Sequence, residues 1–343
     1  MIHPAYQIQG PAQICFSGGR TSGYMLHQIL EANDGLPQDC HVTFENTGQE
    51  REETLVFVEE CSRRWHVPVR WLEWVSGQGP GGFRRPEWRY VDFGSASRKG
   101  EPFARLIAQK LYLPNVRHRL CTSNLKVRVG EAFMRSPGYQ DWDSVLGIRA
   151  DEPRRVARML APGRDNSAGL PCLPLVRADV TKAEVLHWWS RQPFDLALDP
   201  AGDLGNCDLC FLKDRRKLVS AIRADRTRVV WWLDQEHLSG QRFLTGYASY
   251  ADLLREADFL DRQLELDGLE PLDLDHESTA QSPTAGAATE RFHNILSTRV
   301  SREADPIPDG GQHEAIHLRE AVTGEGSRTA RGCPQSCHRC LHR

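Results

Sequence analysis

Over residues 1–265, short apolar runs alternate with longer, one-sided apolar stripes. Ala12–Ser17 is a short apolar run ending in glycines, the mark of a buried parallel strand. Thr21–Glu31 follows with helical spacing, and Tyr24, Met25, His27, Gln28 and Leu30 offer one half-apolar face. His41–Glu45 predicts a second strand, Glu52–Trp65 a second helix and Val69–Trp74 a third strand. The Gly/Pro-rich stretch Ser76–Pro86 predicts a loop. Beyond it, Phe103–Leu111 and Asn124–Met134 read as helices and Ser144–Ile148 as another central strand. Thr181–Gln192 opens on a T-x-x-E box made by Thr181 and Glu184, and Lys213–Arg223 and Tyr250–Glu265 are further helices. Strands separated by helices predict an α/β domain, residues 1–265, with a parallel sheet covered on both faces.

From about His276 the pattern stops. Ser278–Thr289 is small and polar, Ala304–Gln312 holds Pro and Gly with few apolar residues, and little there can be buried. Residues 266–343 therefore read as a linker and a poorly ordered tail ending in a Cys/His-dense stretch, Gly332–Arg343.

The bulk numbers add exclusions. Lys+Arg 43 against Asp+Glu 46 leaves a formal charge of −3, which advertises neither nucleic acid nor an anionic membrane. No apolar run approaches the ~20 residues that span a bilayer. The start, MIHPAYQIQG, lacks a basic region followed by an apolar one, so a cytoplasmic address is expected. Ten cysteines without a secretory signal are then thiols or metal ligands rather than a disulfide framework. Core packing is the reading for Cys15, Cys40 and Cys61.

The strongest chemical signal is Ser17-Gly18-Gly19-Arg20-Thr21-Ser22, at a strand-to-helix junction. Glycines let the backbone approach an anion, and the following helix presents unpaired N–H groups and the positive end of its dipole. Ser17, Thr21 and Ser22 add hydroxyls. The spacing is neither that of a Walker A loop nor that of the dinucleotide G-x-G-x-x-G.

Four more segments follow in order: Phe44–Glu50 with Glu53-Thr54, Arg119–Lys126, Leu146–Glu152, and Asn206–Cys210 with its C-x-x-C. Together with S-G-G-x-x-S they resemble the PP-loop superfamily, and within it the phosphoadenosine phosphosulfate (PAPS) reductase-like family. The resemblance implies a parallel five-stranded sheet with helices on both faces and a bound adenine nucleotide, PAPS or ATP. It implies that Ser17–Ser22 hold the terminal phosphate or sulfate and that Phe44–Gly48, with Asn46, Thr47 and Gly48, line the adenosine pocket. Lys126 and Arg149 would neutralise anionic oxygens. Thr21 and Asn46 stand where the family commonly has carboxylates, which removes oxygen ligands for Mg²⁺ and points away from ATP cleavage.

Cys207 and Cys210, with Cys121 and Cys172, make four thiols, the number for a [4Fe–4S] cluster, with zinc as the alternative. The family carries its catalytic cysteine near the C-terminus, where Cys340-Leu341-His342 stands here. The implied activity is a reductase of sulfur metabolism served by a thioredoxin-like reductant. The alternatives are an adenylating sulfurtransferase acting on nucleic acid, for which Arg84–Tyr90 and Arg117–Arg128 supply basic and aromatic residues, and a nucleotide-binding module without catalysis. In the tail, His313-Glu314-Ala315-Ile316-His317 matches H-E-x-x-H and Cys333-x3-Cys337-x2-Cys340 matches a radical-SAM spacing, but neither brings the rest of its fold.

Overall fold

In the computed structural model, residues 3–78, 85–163, 169–202, 204–244, 246 and 248–267 are described. The chain divides into two units, Met1–Leu272 and Asp273–Arg343, and every described residue lies in the first. Cys333, Cys337, Cys340 and the His313–His317 pentad lie outside the described residues.

The described residues form an α/β fold around a mostly parallel sheet. Its strands are β1 (Ala12–Cys15), β2 (Cys40–Asn46), β3 (Val69–Ser76), β4 (Glu87–Val91), β5 (Asp143–Leu146) and β6 (Leu170–Cys172). They lie in the order β4-β3-β2-β1-β5-β6, six rather than the five expected. Two departures account for the difference. Glu87–Val91, part of a segment noted for its cations and aromatics, folds back antiparallel on β3, with Trp74 opposite Trp88. Leu170–Cys172, noted for its prolines, is held extended by them and pairs with β5.

Ten α-helices connect and cover the strands among the described residues: α1 (Arg20–Ala32), α2 (Glu52–Arg64), α3 (Glu101–Lys110), α4 (Arg128–Arg135), α5 (Pro153–Met159), α6 (Pro174–Arg177), α7 (Lys182–Trp189), α8 (Arg215–Ala224), α9 (Val229–Ser239) and α10 (Tyr250–Asp267). A π-helical stretch, Cys121–Val127, leads into α4. The Thr181 cap forms as expected, its side chain accepting from the Glu184 N–H while the Glu184 carboxylate accepts from the Thr181 N–H at 2.7 Å.

Alternation along the strands builds a core on each face. Ile14, Phe16, Val42 and Phe44 pack with Met25, Leu26, Phe57 and Trp189. Leu72 and Trp74 pack on the other side with Phe103, Leu125, Trp232 and Tyr250. Neighbouring strands leave β1 on opposite sides, β2 one way and β5 the other. Open α/β sheets leave a crevice outside the carboxyl ends of the strands at such a switch point. The loops after β1 and β5 meet there, because Cys15 is in register with Leu146. No helix among the described residues is long and apolar enough to cross a membrane.

Candidate functional site

The chain leaves β1 through Phe16, whose N–H donates to the Thr43 carbonyl at 2.9 Å, and turns at Gly18 and Gly19 into α1. Gly18 has φ +71°, and a Cβ there would lie 2.5 Å from Thr54 Cγ2. A Cβ on Gly19 would lie 2.6 Å from the Asn206 amide. Gly18 is thus required by backbone conformation as well as by shape, whereas Gly19, in extended backbone at φ −110°, leaves room for the Asn206 amide. The buried Ser22 hydroxyl donates to the Gly19 carbonyl at 3.0 Å and lies 3.1 Å from Ser17 Oγ. Asn206 donates to the Ser17 carbonyl at 3.1 Å, tying a distant segment to the turn.

Over this turn lies a hollow of about 320 Å³. Ser17, Gly19, Thr21 and Ser22 form its base, Gly147 and Arg149 enter from the end of β5, and Leu196, Leu198, Pro200 and Leu204 make an apolar wall. Arg20, Arg149, Arg155 and Lys182 line it against a single carboxylate, Asp199. Arg149 Nη1 donates to Thr21 Oγ1 at 3.1 Å and its Nε to Asp151 at 2.8 Å, which fixes the guanidinium over the turn. The Lys182 backbone N–H, then Arg149, draw the Asp151 carboxyl below its usual range, so the orienting group is an anion at neutral pH. Arg20 is used differently. It grips Asp195 at 2.7 Å and the Leu198 carbonyl at 2.7 Å, so it holds the apolar wall in place.

Asn46, Thr47 and Gly48 do not line this hollow. Asn46 is fully buried and donates to Glu73 at 2.7 Å and to the Ser97 carbonyl at 2.9 Å. The Thr47 hydroxyl donates to Glu50 at 2.8 Å. Gly48, at φ +79°, accepts from the Gly100 N–H at 2.8 Å, and a Cβ there would strike the Gly100 backbone at 2.9 Å. This corner below the end of β2 is a closed network. Lys126 belongs to it, bonded to Glu50 at 3.1 Å. Burial works against its charge, but Glu50, Cys207 and Glu45 more than offset that and its pKa is raised.

The cysteines divide between the two faces. The Cys207 thiol points to the Asp208 carbonyl at 3.9 Å and lies beside Cys210, and Cys121 lies close enough to Cys210 to feel its charge. The neighbouring Cys207 thiol pulls the Cys210 thiol below the ordinary thiol range against the opposing effect of burial; the Leu212 N–H, Lys213 and Lys126 help. Burial pushes Cys121 up. Cys172, however, is a β6 residue, 4 % exposed, packed in the core cluster of the opposite face with Val145 and Leu175. The expected set Cys121, Cys172, Cys207 and Cys210 therefore does not assemble, and neither a [4Fe–4S] cluster nor a zinc ion fits on those four thiols. Among the described residues no group of three or more Cys, His, Asp or Glu is arranged to hold a metal ion. The proline-flanked segment read as a ligand loop is a strand, and pairing buries its thiol.

Residues 17–22 and Arg149 are thus brought together, Lys126 joins the thiols instead, and Cys340 lies outside the described residues. Arg155, Lys182 and Asn206 were not among the expected site residues. Only folding brings them to the turn, although Asn206 stands beside the C-x-x-C and Lys182 directly follows a helix cap.

No family model matches the chain. Over 218 residues it is 32% identical to the "Uncharacterized nin region protein ORF290" of Escherichia phage lambda, covering 61% of this chain and 69% of that protein.

Proposed function

The chain belongs to the family of that phage lambda nin region protein, and we propose that it is an adenine-nucleotide-binding enzyme of sulfur metabolism, similar to PAPS reductases. The observation that carries this reading is the fixed Arg149 guanidinium above a two-glycine turn at the switch point of the sheet. A terminal sulfate or phosphate fits between the N–H groups at the start of α1 and the cations of the hollow. The apolar wall of Leu196, Leu198 and Leu204 suits the base.

In the reductase reaction a thiolate attacks the sulfonate sulfur. A sulfur–sulfur bond forms, the sulfur–oxygen bond to the phosphate breaks, and the electron pair stays on the phosphate oxygen. The turn and Arg149 stabilise that growing charge, which is where fixed donors are most effective. Cys340 is the thiol the resemblance assigns to the attack. The hydroxyl of Thr21 accepts from Arg149. A cationic side chain therefore occupies the neighbourhood where an acidic residue would recruit Mg²⁺, which favours sulfonate transfer over ATP cleavage.

Calorimetric titration with adenosine 3′,5′-bisphosphate, PAPS and ATP tests the reading. Arg149→Ala should weaken binding of the sulfur-transfer nucleotides by about 10- to 100-fold, the loss of a charged hydrogen bond, with the melting temperature little changed. Thioredoxin-dependent sulfite release from PAPS should fall with it. Absence of nucleotide binding, or binding indifferent to Arg149→Ala, would overturn it.

A further inference from the structure

The segment Asn206–Lys213 is held unusually firmly for a loop. The Arg51 N–H donates to the Asn206 carbonyl at 2.9 Å and the Asp208 N–H to the Gln49 carbonyl at 2.8 Å. Cys207 makes an antiparallel bridge to Glu50. The Asp208 carboxylate is buried against Arg51 at 2.8 Å and reached by Arg228 at 3.3 Å. Between the two cysteines the chain makes a tight turn at Asp208-Leu209, with Leu209 in the left-handed region at φ +40°. A turn of four residues keeps its end Cα atoms within about 7 Å, and disulfides bridge Cα atoms roughly 4.4–6.8 Å apart. The turn brings the two thiols beside each other, each shifting the other's pKa.

Two ammonium groups flank the pair. Lys126 reaches it from the π-helical stretch. The Lys213 Nζ is buried, makes no hydrogen bond among the described residues, and lies close to Cys207, Cys210 and Asp208. Ammonium groups beside sulfur favour the thiolate that attacks a disulfide. Cys172 is out of reach in the other core.

We propose that Cys207 and Cys210 are a redox-active dithiol, which cycles between two thiols and one intrachain disulfide by exchange with low-molecular-weight disulfides. One cysteine thiolate attacks a sulfur of the small disulfide, forming a mixed disulfide and releasing one small thiolate. The partner cysteine then attacks the mixed disulfide. The second small thiol leaves, and the two cysteine protons end on the released thiols. The cysteines are oxidised and the small disulfide is reduced by two electrons. Because Asn206 touches the glycine turn, the couple stands one residue from the hollow. The site is defined whatever that hollow binds.

The test uses the full chain, purified anaerobically and equilibrated across mixtures of reduced and oxidised glutathione. Acid quenching, alkylation and peptide mass spectrometry follow. The peptide holding Cys207 and Cys210 should lose two hydrogens in one reversible transition, and dithiothreitol should restore two alkylatable thiols. With Cys207→Ser, Cys210 should instead stop as a mixed disulfide with glutathione. Three results would overturn the proposal: both thiols alkylated across the whole series, a disulfide from either to Cys121 or a tail cysteine, or stoichiometric iron or zinc that must be removed before either thiol reacts. The wild-type measurement decides even if the variant misfolds, and nucleotide titration of the same sample scores the hollow separately.

Discussion

Gly18 carries the tightest constraint at the scale of single residues. A methyl group there meets Thr54 and Phe44 side chains while the backbone keeps φ +71°. Gly18→Ala should cost about 1–3 kcal/mol from strain alone and abolish high-affinity anion binding, read by urea unfolding beside titration. A variant of full stability and affinity would show that the turn is not held in this conformation. His27 offers a pH test. Its ring lies 5.2 Å from Trp65 and 4.8 Å from Trp188, and burial lowers its pKa from 6.5, with Glu31 pulling the other way. Below about pH 6.5 the unfolded chain takes up a proton that the folded one refuses. Stability contributed at neutral pH should therefore be lost as pH falls through the folded value. His27→Gln should reduce the drop in melting temperature between about pH 7.5 and 5.5; an equal drop would reject the assignment.

At the scale of elements, helix α7 organises the site from behind. Trp189 is 1 % exposed, packs on Phe57 and Phe194, and donates its indole N–H to the Arg20 carbonyl at 2.8 Å. It also fills the space left by Gly23, where a Cβ would lie 2.9 Å from its ring. Trp189→Ala should destabilise the protein by roughly 3–5 kcal/mol, measured by denaturant unfolding, and weaken nucleotide binding in the surviving fold. The start of α2 is tied to the cysteine turn through Arg51 and Asp208, both almost fully buried. Removing Asp208 leaves the buried Arg51 guanidinium with only the longer Glu53 contact at 3.5 Å, and Asp208→Ala should cost about 3–5 kcal/mol. A loss below about 1 kcal/mol would mean that water reaches Arg51.

For the molecule as a whole, the unit Met1–Leu272 contains both cores and the hollow. A chain ending at Leu272 should unfold with the midpoint of the full chain and bind adenosine 3′,5′-bisphosphate equally well, while sulfite release from PAPS disappears with Cys340. Turnover retained by the shortened chain would remove Cys340 from the reaction and leave the thiols of the first unit to account for it.

How far the sequence reaches is visible in particular residues. The apolar run of β1, the glycines after it and the Thr181–Glu184 box are local features, so strand, turn and cap could all be read directly. The cysteines could not, because spacing says nothing about which face of a sheet a distant residue will join. Leu170–Cys172 is short and proline-bearing, and only pairing with β5 makes it a strand and Cys172 a core residue. Asn46 and Thr47 sit in a recognisable segment, yet burial against Glu73 and Glu50 turns them into supports. Arg155, Lys182 and Asn206 reach the glycine turn from far along the chain. Local propensity and patterning specified the elements and the two-glycine turn. Long-range packing, which depends on strand order and on what each face must bury, chose the charges that surround it and set Cys172 apart from the other three thiols.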